Sequence, residues 1–381
     1  MSTPRVLAPP VVLFTNSPPM GGMEQHVLLL ATGLIQRGVR TALVCSPRPE
    51  IRALRDELEA NGAEVHTPSE RASAADGPRR FQELTRVFRQ YRGGILHVHS
   101  TGFHGGDLVM LAGRRARMAG IVRTEHVPPQ PPIDHRHRIQ VRLRDRFLLD
   151  RAICVSESNR REHQETLGRR PEKLAVVPNG IDVERFATAD GAGVHAELCV
   201  AAGTPLVGVV ARLAEERKGI AQFLQMAALV SRAHPNVHFV VVGDGPLRPA
   251  LEAQAAELIV DRRVTFLGAR HDVPRLMAAM RIFVMPSLYE GGPLTLLEAM
   301  ALGKAVVTTP VGVAEDVVVD GETGLIVPTG DVDALSAAVR RLLEDPDLAS
   351  LMGGRAQTEA RRSFSIEHMV DRTISVYRSV L

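Results

Sequence analysis

An α/β fold in two Rossmann-like domains is what this sequence predicts, and three observations carry it. Short β-branched runs alternate with helical patterns along the whole chain, as in parallel α/β units. The strand runs are continuous rather than alternating in polarity, as expected when helices cover both faces of a sheet. The series is interrupted once, at the Pro178-Asn179-Gly180 turn, and then begins again. At 381 residues the chain is too long for one ordinary core. It suits two domains of roughly 150–200 residues each. The expected domains are 1–185 and 186–364, facing one another across a cleft, with a C-terminal helix at about 365–381 able to pack back on the first.

In the first half the strand candidates are Val11–Thr15, Val39–Cys45, Ala63–His66, Ile95–His99, Ile121–Glu125 and Arg151–Val155. Between them, Val27, Leu28, Leu30 and Leu34 place an apolar stripe on a helix over Glu24–Gln36. Open α/β sheets bind ligands at the loops that follow strands. The first such loop, FTNSPPMGGMEQHV, reaches Gly21 and Gly22, whose backbone could approach a phosphate or sugar closely. The G-x-G-x-x-G dinucleotide spacing is missing. His126, in VRTEHVPP, follows a strand and could reach a cleft as a hydrogen-bonding or acid/base group. His97 and His99 share a strand face, but further ligands at defined spacing are lacking, so no metal ligand is assigned.

The segment AVVPNGIDVERF, Ala175–Phe186, punctuates the chain. The second series has strands at Leu206–Ala211, Val237–Val242, Val264–Leu267, Ile282–Met285, Ala305–Thr308 and Leu325–Val327. Its helices include Ile220–Arg232, Leu294–Leu302 and Asp333–Leu343. In VVARLAEERKG, Arg212 and Lys218 lie on one strand-to-helix loop, where two cations could neutralise a departing diphosphate. A surface charge cluster with Glu215 and Glu216 is the plainer account of the same residues. The glycines of Gly243-Asp244-Gly245 also follow a strand, but a third glycine is absent. Asp331-Val-Asp333 reads as a helix cap.

The most informative stretch is SLYEGGPLTLLEAMALGKAVVTT, Ser287–Thr309. Glu290 falls after a strand, and Glu298 one to two turns into the next helix, which Pro293 opens. The amides of Gly292, Leu294 and Thr295 would point out of that helix N-terminus, a ready anion site. The two carboxylates could accept sugar hydroxyls. A capping Glu290 and a solvated Glu298 explain the same letters without a ligand.

Composition narrows the function classes. Three scattered cysteines suit a reducing cytoplasm rather than a disulfide framework or zinc site. No signal-peptide pattern and no stretch of eighteen apolar residues is present. The net charge of +3 conceals opposite halves. Residues 1–185 hold 28 Lys+Arg against 20 Asp+Glu, and the remainder 18 against 23. The surplus concentrates between Arg114 and Arg151. There Arg136, Arg138, Arg142, Arg144 and Arg146 interleave with Ile139, Leu143 and Phe147 on a basic amphipathic helix. It suits either a solvated helix face or contact with anionic lipid or a charged acceptor. Nucleic acid is an unsuitable partner, since no reading motif or aromatic platform accompanies the arginines.

Together these motifs resemble the retaining glycosyltransferases of family 4. The resemblance covers nearly the whole chain through Gly21-Gly22, RTEH, VPNGID, ARLAEERKG, VVGDGPL, FLGARHDV and EGGPLTLLEAMALG. It implies the GT-B fold and a nucleotide-sugar co-substrate, UDP-linked by preference and GDP-linked as the alternative. It also implies a hydroxyl acceptor on a glycan, lipid-linked or small molecule, and no further cofactor. On that resemblance Arg212 and Lys218 hold the diphosphate and Glu298 the ribose. Glu290 contacts the donor sugar, with the amides of Gly291, Gly292, Leu294 and Thr295. Gly243 lies at the nucleotide, and Leu267 and Arg270, within Leu267–Asp272, border the base. Gly22 approaches the phosphate from the other domain, and His126 lines the sugar site. The implied mechanism is metal-independent front-face displacement with retention, inside a closing cleft that excludes water. Departures are Ala211 where glycine is usual, Gly292 where an aromatic is common, and Lys304 where proline is common. The rivals are a sugar-nucleotide epimerase or hydrolase on the same fold and a non-catalytic binding module. The expected location is cytoplasmic, with peripheral contact at an anionic membrane face.

Overall fold

The computed structural model describes residues 9–15, 21–69, 77–100, 106–129, 132–260 and 262–381. Residues 16–20 of the glycine loop and 130–131 of the HVPPQPPIDH segment lie outside the described residues. The chain forms two compact units, one of Met1–Gly180 with Ile366–Leu381 and one of Ile181–Ser365. Ile181, Val183 and Phe186 pack in the core of the second unit, so the divide falls at Gly180 rather than after residue 185.

The first unit is built on β1 (Val11–Thr15), β2 (Thr41–Val44), β3 (Glu64–His66), β4 (Ile95–Ser100), β5 (Gly120–Glu125), β6 (Arg151–Cys154) and β7 (Leu174–Val176). Their order is β3-β2-β1-β4-β5-β6-β7, and every pairing is parallel. The continuous apolar runs feed two cores at once. Val11 and Leu13 join one face, whereas Val12 and Phe14 join the other, because successive side chains alternate across a strand. Strand β7 was not anticipated. Its three residues abut the Pro178-Asn179-Gly180 turn, and such short strands are recognisable only by their partner, here β6. The C-terminal helix Ile366–Arg378 packs on the Gly22–Gln36 helix through Met369, Val370, Ile374 and Tyr377.

The second unit holds β8 (Leu206–Val210), β9 (His238–Val242), β10 (Val264–Gly268), β11 (Ile282–Met285), β12 (Ala305–Thr308) and β13 (Leu325–Ile326). They run in parallel in the order β10-β9-β8-β11-β12-β13. Alternation again divides each strand: Phe239 and Val241 face one core, Val240 and Val242 the other. The chain reverses its direction of growth between β8 and β11, and ligands in open α/β sheets bind at such switch points.

The basic helix runs from His135 to Phe147 with Asp134 as its cap. Its stripe of Ile139, Leu143 and Phe147 points outward, exposed by 42%, 52% and 61%. Arg144, expected on the solvated face, is buried instead and lies 3.6 Å from Asp107. The buried face must balance charge, and it does so with Asp145, bound by Arg169 at 2.9 Å, while Arg169 also reaches Glu125 at 2.7 Å. Among the described residues no helix is long and apolar enough to cross a membrane.

Candidate functional site

In the second unit, β8 and β11 are neighbours, and their adjacency sets two distant loops side by side. The loop after β8 carries Arg212, Glu215, Arg217 and Lys218. The loop after β11 carries Ser287 and Glu290. Lys218 Nζ donates to Glu290 Oε1 at 2.5 Å, and Arg217 Nη1 to Glu290 Oε2 at 3.0 Å. Ser287 Oγ donates to Oε1 at 3.2 Å, so the buried carboxylate is held on both oxygens. Arg217 also donates to the Tyr289 carbonyl at 2.9 Å and pairs with Glu215. Burial works against the Arg217 charge, but Glu290 and Glu215 together keep its pKa raised. Arg212 is half-exposed and 3.4 Å from Glu215. The bonded cluster therefore contains three cations and two carboxylates.

Two glycines allow this approach. Gly219, at φ 69°, ends the cationic turn against Pro286, where a Cβ would lie 1.9 Å from the Pro286 carbonyl oxygen. Gly243, at φ 130°, stands equally close to the Ala211 carbonyl. Neither position accepts a side chain without moving backbone.

Gly291 and Gly292 lead into the Leu294–Ala301 helix, whose Pro293 cap position offers no side-chain acceptor. The first-turn amides of a helix need partners, and an anion can supply them. Leu294 is buried and Thr295 is half-buried at this end. Glu298 lies farther along the same helix, with part of its surface open. Burial pushes its carboxyl up to about 7, with Arg185 opposing the shift. Leu267, near the end of β10, is half-buried. Arg270 is bound to Asp272 at 2.8 Å and to Glu197 at 2.9 Å, so its charge is already countered within the chain.

In the first unit, Gly22 begins the Gly22–Gln36 helix, and among the described residues nothing outside its own helix and neighbours lies within 4 Å of where its Cβ would sit. His126 follows β5 and is buried, with its Nε2 3.1 Å from His99 Nδ1. Burial holds its pKa well below the usual range. It is thus a neutral imidazole, suited to hydrogen bonding rather than to supplying a proton.

Two family models match the chain: Glycosyltransferase Family 4 over residues 20–185 and Glycosyl transferases group 1 over residues 204–345. The chain is 31% identical over 366 residues to the 2-deoxystreptamine N-acetyl-D-glucosaminyltransferase of Streptomyces fradiae, covering 86% of this chain and 84% of that one. It belongs to the family 4 glycosyltransferases. This glycosyltransferase is also 29% identical over 352 residues to the phosphatidyl-myo-inositol mannosyltransferase of Mycolicibacterium smegmatis, covering 90% of this chain and 86% of that one. In fold it resembles Anabaena HepE, crystallised with UDP, at a TM-score of 0.84 and 23% identity, over 97% of this chain and all of that one. The fold is that of the GT-B glycosyltransferases.

The structure of this glycosyltransferase brings Lys218 and Glu290 into contact, and sets Arg212 beside them through Glu215. Sequence reasoning passed over Arg217, although it adjoins Lys218 in the same loop and makes more bonds to the site. The paired acids and paired bases of AEERKG gave no means of telling which cation turns inward. Arg185 was likewise missed, because nothing local relates it to Glu298. His26 and Asn179 were not anticipated at all; they meet at 2.9 Å across 153 residues. Asp331 accepts from the Ala334 amide at 2.9 Å, as a cap should.

Proposed function

We propose that this enzyme transfers a sugar from a nucleotide-diphosphate sugar to a hydroxyl of a glycan, lipid-linked or small-molecule acceptor, with retained anomeric configuration. The observation carrying the proposal is the cluster of Arg212, Arg217 and Lys218 against Glu215 and Glu290. Three cations are gathered there in a unit whose half of the chain is acidic overall. The Leu294–Ala301 helix opens just beyond Glu290 without a side-chain cap. Preorganised cations and helix amides are what a departing diphosphate needs.

In this reading Arg212 and Lys218 hold the diphosphate without a metal at the leaving group, and Glu298 accepts the ribose hydroxyls. Glu290, fixed by Arg217, faces the donor sugar with the amides of Gly291, Gly292, Leu294 and Thr295. Leu267 and Arg270 border the base, Gly243 lies at the nucleotide, and Gly22 and His126 serve the phosphate and sugar. The leaving phosphate itself accepts the acceptor's proton. UDP is the preferred nucleotide, in keeping with the UDP complex of HepE and the UDP-Gal donor of an Escherichia coli relative. GDP is the alternative.

A thermal-shift screen of UDP- and GDP-sugars identifies the donor, because binding stabilises the fold by mass action. NMR of the product then reads its anomeric configuration. Inversion would overturn the retaining mechanism. Rapid epimerised or hydrolysed donor without acceptor would favour an epimerase or hydrolase. Saturable binding with no turnover across an acceptor panel would reduce the protein to a binding module.

The outward stripe of Ile139, Leu143 and Phe147 supports a second element of the reading, peripheral contact with an anionic lipid surface. Exposed Arg136, Arg138, Arg142 and Arg146 flank the stripe. Beside it lies a cavity of about 540 Å³ lined in part by Arg142, Arg146 and Arg170. Apolar insertion with arginine contacts to headgroups suits such a surface. Phosphatidylglycerol vesicles should capture the protein, and Leu143→Glu with Phe147→Glu should release it. Failure of the unaltered protein to bind them at physiological salt would remove this element.

A further inference from the structure

The first unit gathers three histidines that the donor chemistry does not require together. His26 comes from the Gly22–Gln36 helix, His99 from the end of β4, and His126 from just after β5. Strands β1 and β4 are adjacent where the sheet reverses its order, so these residues meet at the switch point of this unit. All three are buried, and one ligand nitrogen from each lies within 4.8 Å of the others. We propose that His26, His99 and His126 form a binding site for a first-row divalent cation, zinc foremost, with a fourth position left for an exchangeable oxygen ligand.

Geometry is the first support. Three imidazoles on one tetrahedral zinc, with Zn–N about 2.0–2.1 Å, place their ring centres about 5.2 Å apart and their ligand nitrogens about 3.3 Å apart. The ring centres here are separated by 5.3 Å for His26–His99, 4.9 Å for His26–His126 and 5.3 Å for His99–His126. His99 Nδ1 and His126 Nε2 are 3.1 Å apart.

Hydrogen bonding is the second support. His26 Nδ1 donates to Asn179 Oδ1 at 2.9 Å, which fixes the tautomer and leaves the lone pair on Nε2. That Nε2 is buried without a hydrogen-bond partner. Orphaned buried nitrogens are costly, and a metal ligand held from its far side by an amide oxygen is the usual second-sphere arrangement.

His97, which the sequence paired with His99, is not a ligand. Its two nitrogens are occupied by Tyr377 Oη and Thr124 Oγ1, each at 2.7 Å. It stacks beside His99 with ring centres 4.1 Å apart and holds that ring in place. Burial keeps the cluster neutral, the form in which imidazole binds metal. An all-nitrogen set excludes magnesium and calcium, which take oxygen ligands, and selects zinc, cobalt or nickel. The inference does not rest on the donor-site reading; such an ion would tie β4, β5 and the first helix together and orient His126.

The test uses the untagged full chain. After zinc loading and gel filtration, elemental analysis should find one zinc per chain, and cobalt should give the visible d–d band of a four-coordinate site. His26→Gln and His99→Gln should each abolish the band while far-UV circular dichroism is unchanged. Asn179→Ala keeps all three ligands and should weaken cobalt affinity about 10–100-fold. No retained zinc and no cobalt band in the unaltered protein would overturn the site, with His99 Nδ1 and His126 Nε2 then simply sharing a hydrogen bond. Equal binding by His26→Gln would overturn it as well. Should the histidine variants fail to fold, unaltered protein and Asn179→Ala decide the matter.

Discussion

Replacing Glu298 by glutamine should remove a pH dependence that the unaltered enzyme shows in donor binding. Burial raises the Glu298 carboxyl to about 7, so near neutrality the free enzyme is a mixture of both forms. Only the ionised form can accept two ribose hydroxyls, since a protonated carboxyl must spend one oxygen as a donor. The complex therefore binds fewer protons than the free enzyme, and affinity rises with pH. With a pKa near 7, the ionised fraction is about 0.1 at pH 6, about 0.5 at pH 7 and about 0.9 at pH 8. Apparent affinity follows that fraction, so the dissociation constant should fall about tenfold from pH 6 to pH 8. Titration calorimetry with the intact nucleotide sugar suits the measurement, because its diphosphate has no proton to lose in this range. Running it in buffers of different ionisation enthalpy counts the proton released. Glu298→Gln should bind weakly with no pH dependence from this site.

Stability supplies the converse sign. A carboxyl raised above its unfolded value costs stability as pH climbs from about 4.5 to 7. Glu298→Gln should accordingly melt higher than the unaltered protein at pH 8. A pH-independent dissociation constant in the unaltered enzyme, or the same slope in the variant, would refute the placement of Glu298 at the ribose.

Three other expectations follow from the same geometry. Lys218→Ala should lower transfer about 10²–10³-fold, the usual loss on removing one preorganised charge partner, with the fold kept; near-normal transfer would sink its role at the diphosphate. Gly22→Ala should leave the melting temperature unchanged, because its Cβ meets no other group of the described residues within 4 Å, yet raise KM for the donor; an unaltered KM would detach Gly22 from the site. His163 is held down to about 3, chiefly by burial. The unfolded chain then takes up the proton first, so stability is lost as pH falls from about 6.5. This amounts to about 2 kcal/mol at pH 5, and a His163→Gln variant with an equally steep acid decline would contradict it.

What could be read in the sequence was local. The strands of both units follow from β-branched runs whose neighbours carry turn residues. Parallel pairing follows from their being apolar at every position rather than at every second one. Pro293 and the glycine pair announced a helix start, and Asp331 announced another. Motif spacing also put Arg212, Lys218 and Glu290 in loops after strands and Glu298 on the helix that follows, which is where the structure has them.

Tertiary structure alone decided which of these groups meet. Lys218 and Glu290 are 72 residues apart, and they bond because β8 and β11 are neighbours in a strand order that skips β9 and β10. The same non-local pairing turned Arg217 inward and left Arg212 half-exposed. The three-histidine cluster needed β1, β4 and β5 side by side, and Asn179 had to return from the end of the unit to fix His26. On the basic helix, periodicity showed an apolar stripe and a charged remainder. It could not tell that the stripe faces outward while Arg144 and Asp145 face the core. Helical period assigns residues to faces; only the packing of that helix against Arg169 and its partners assigns a face to the interior.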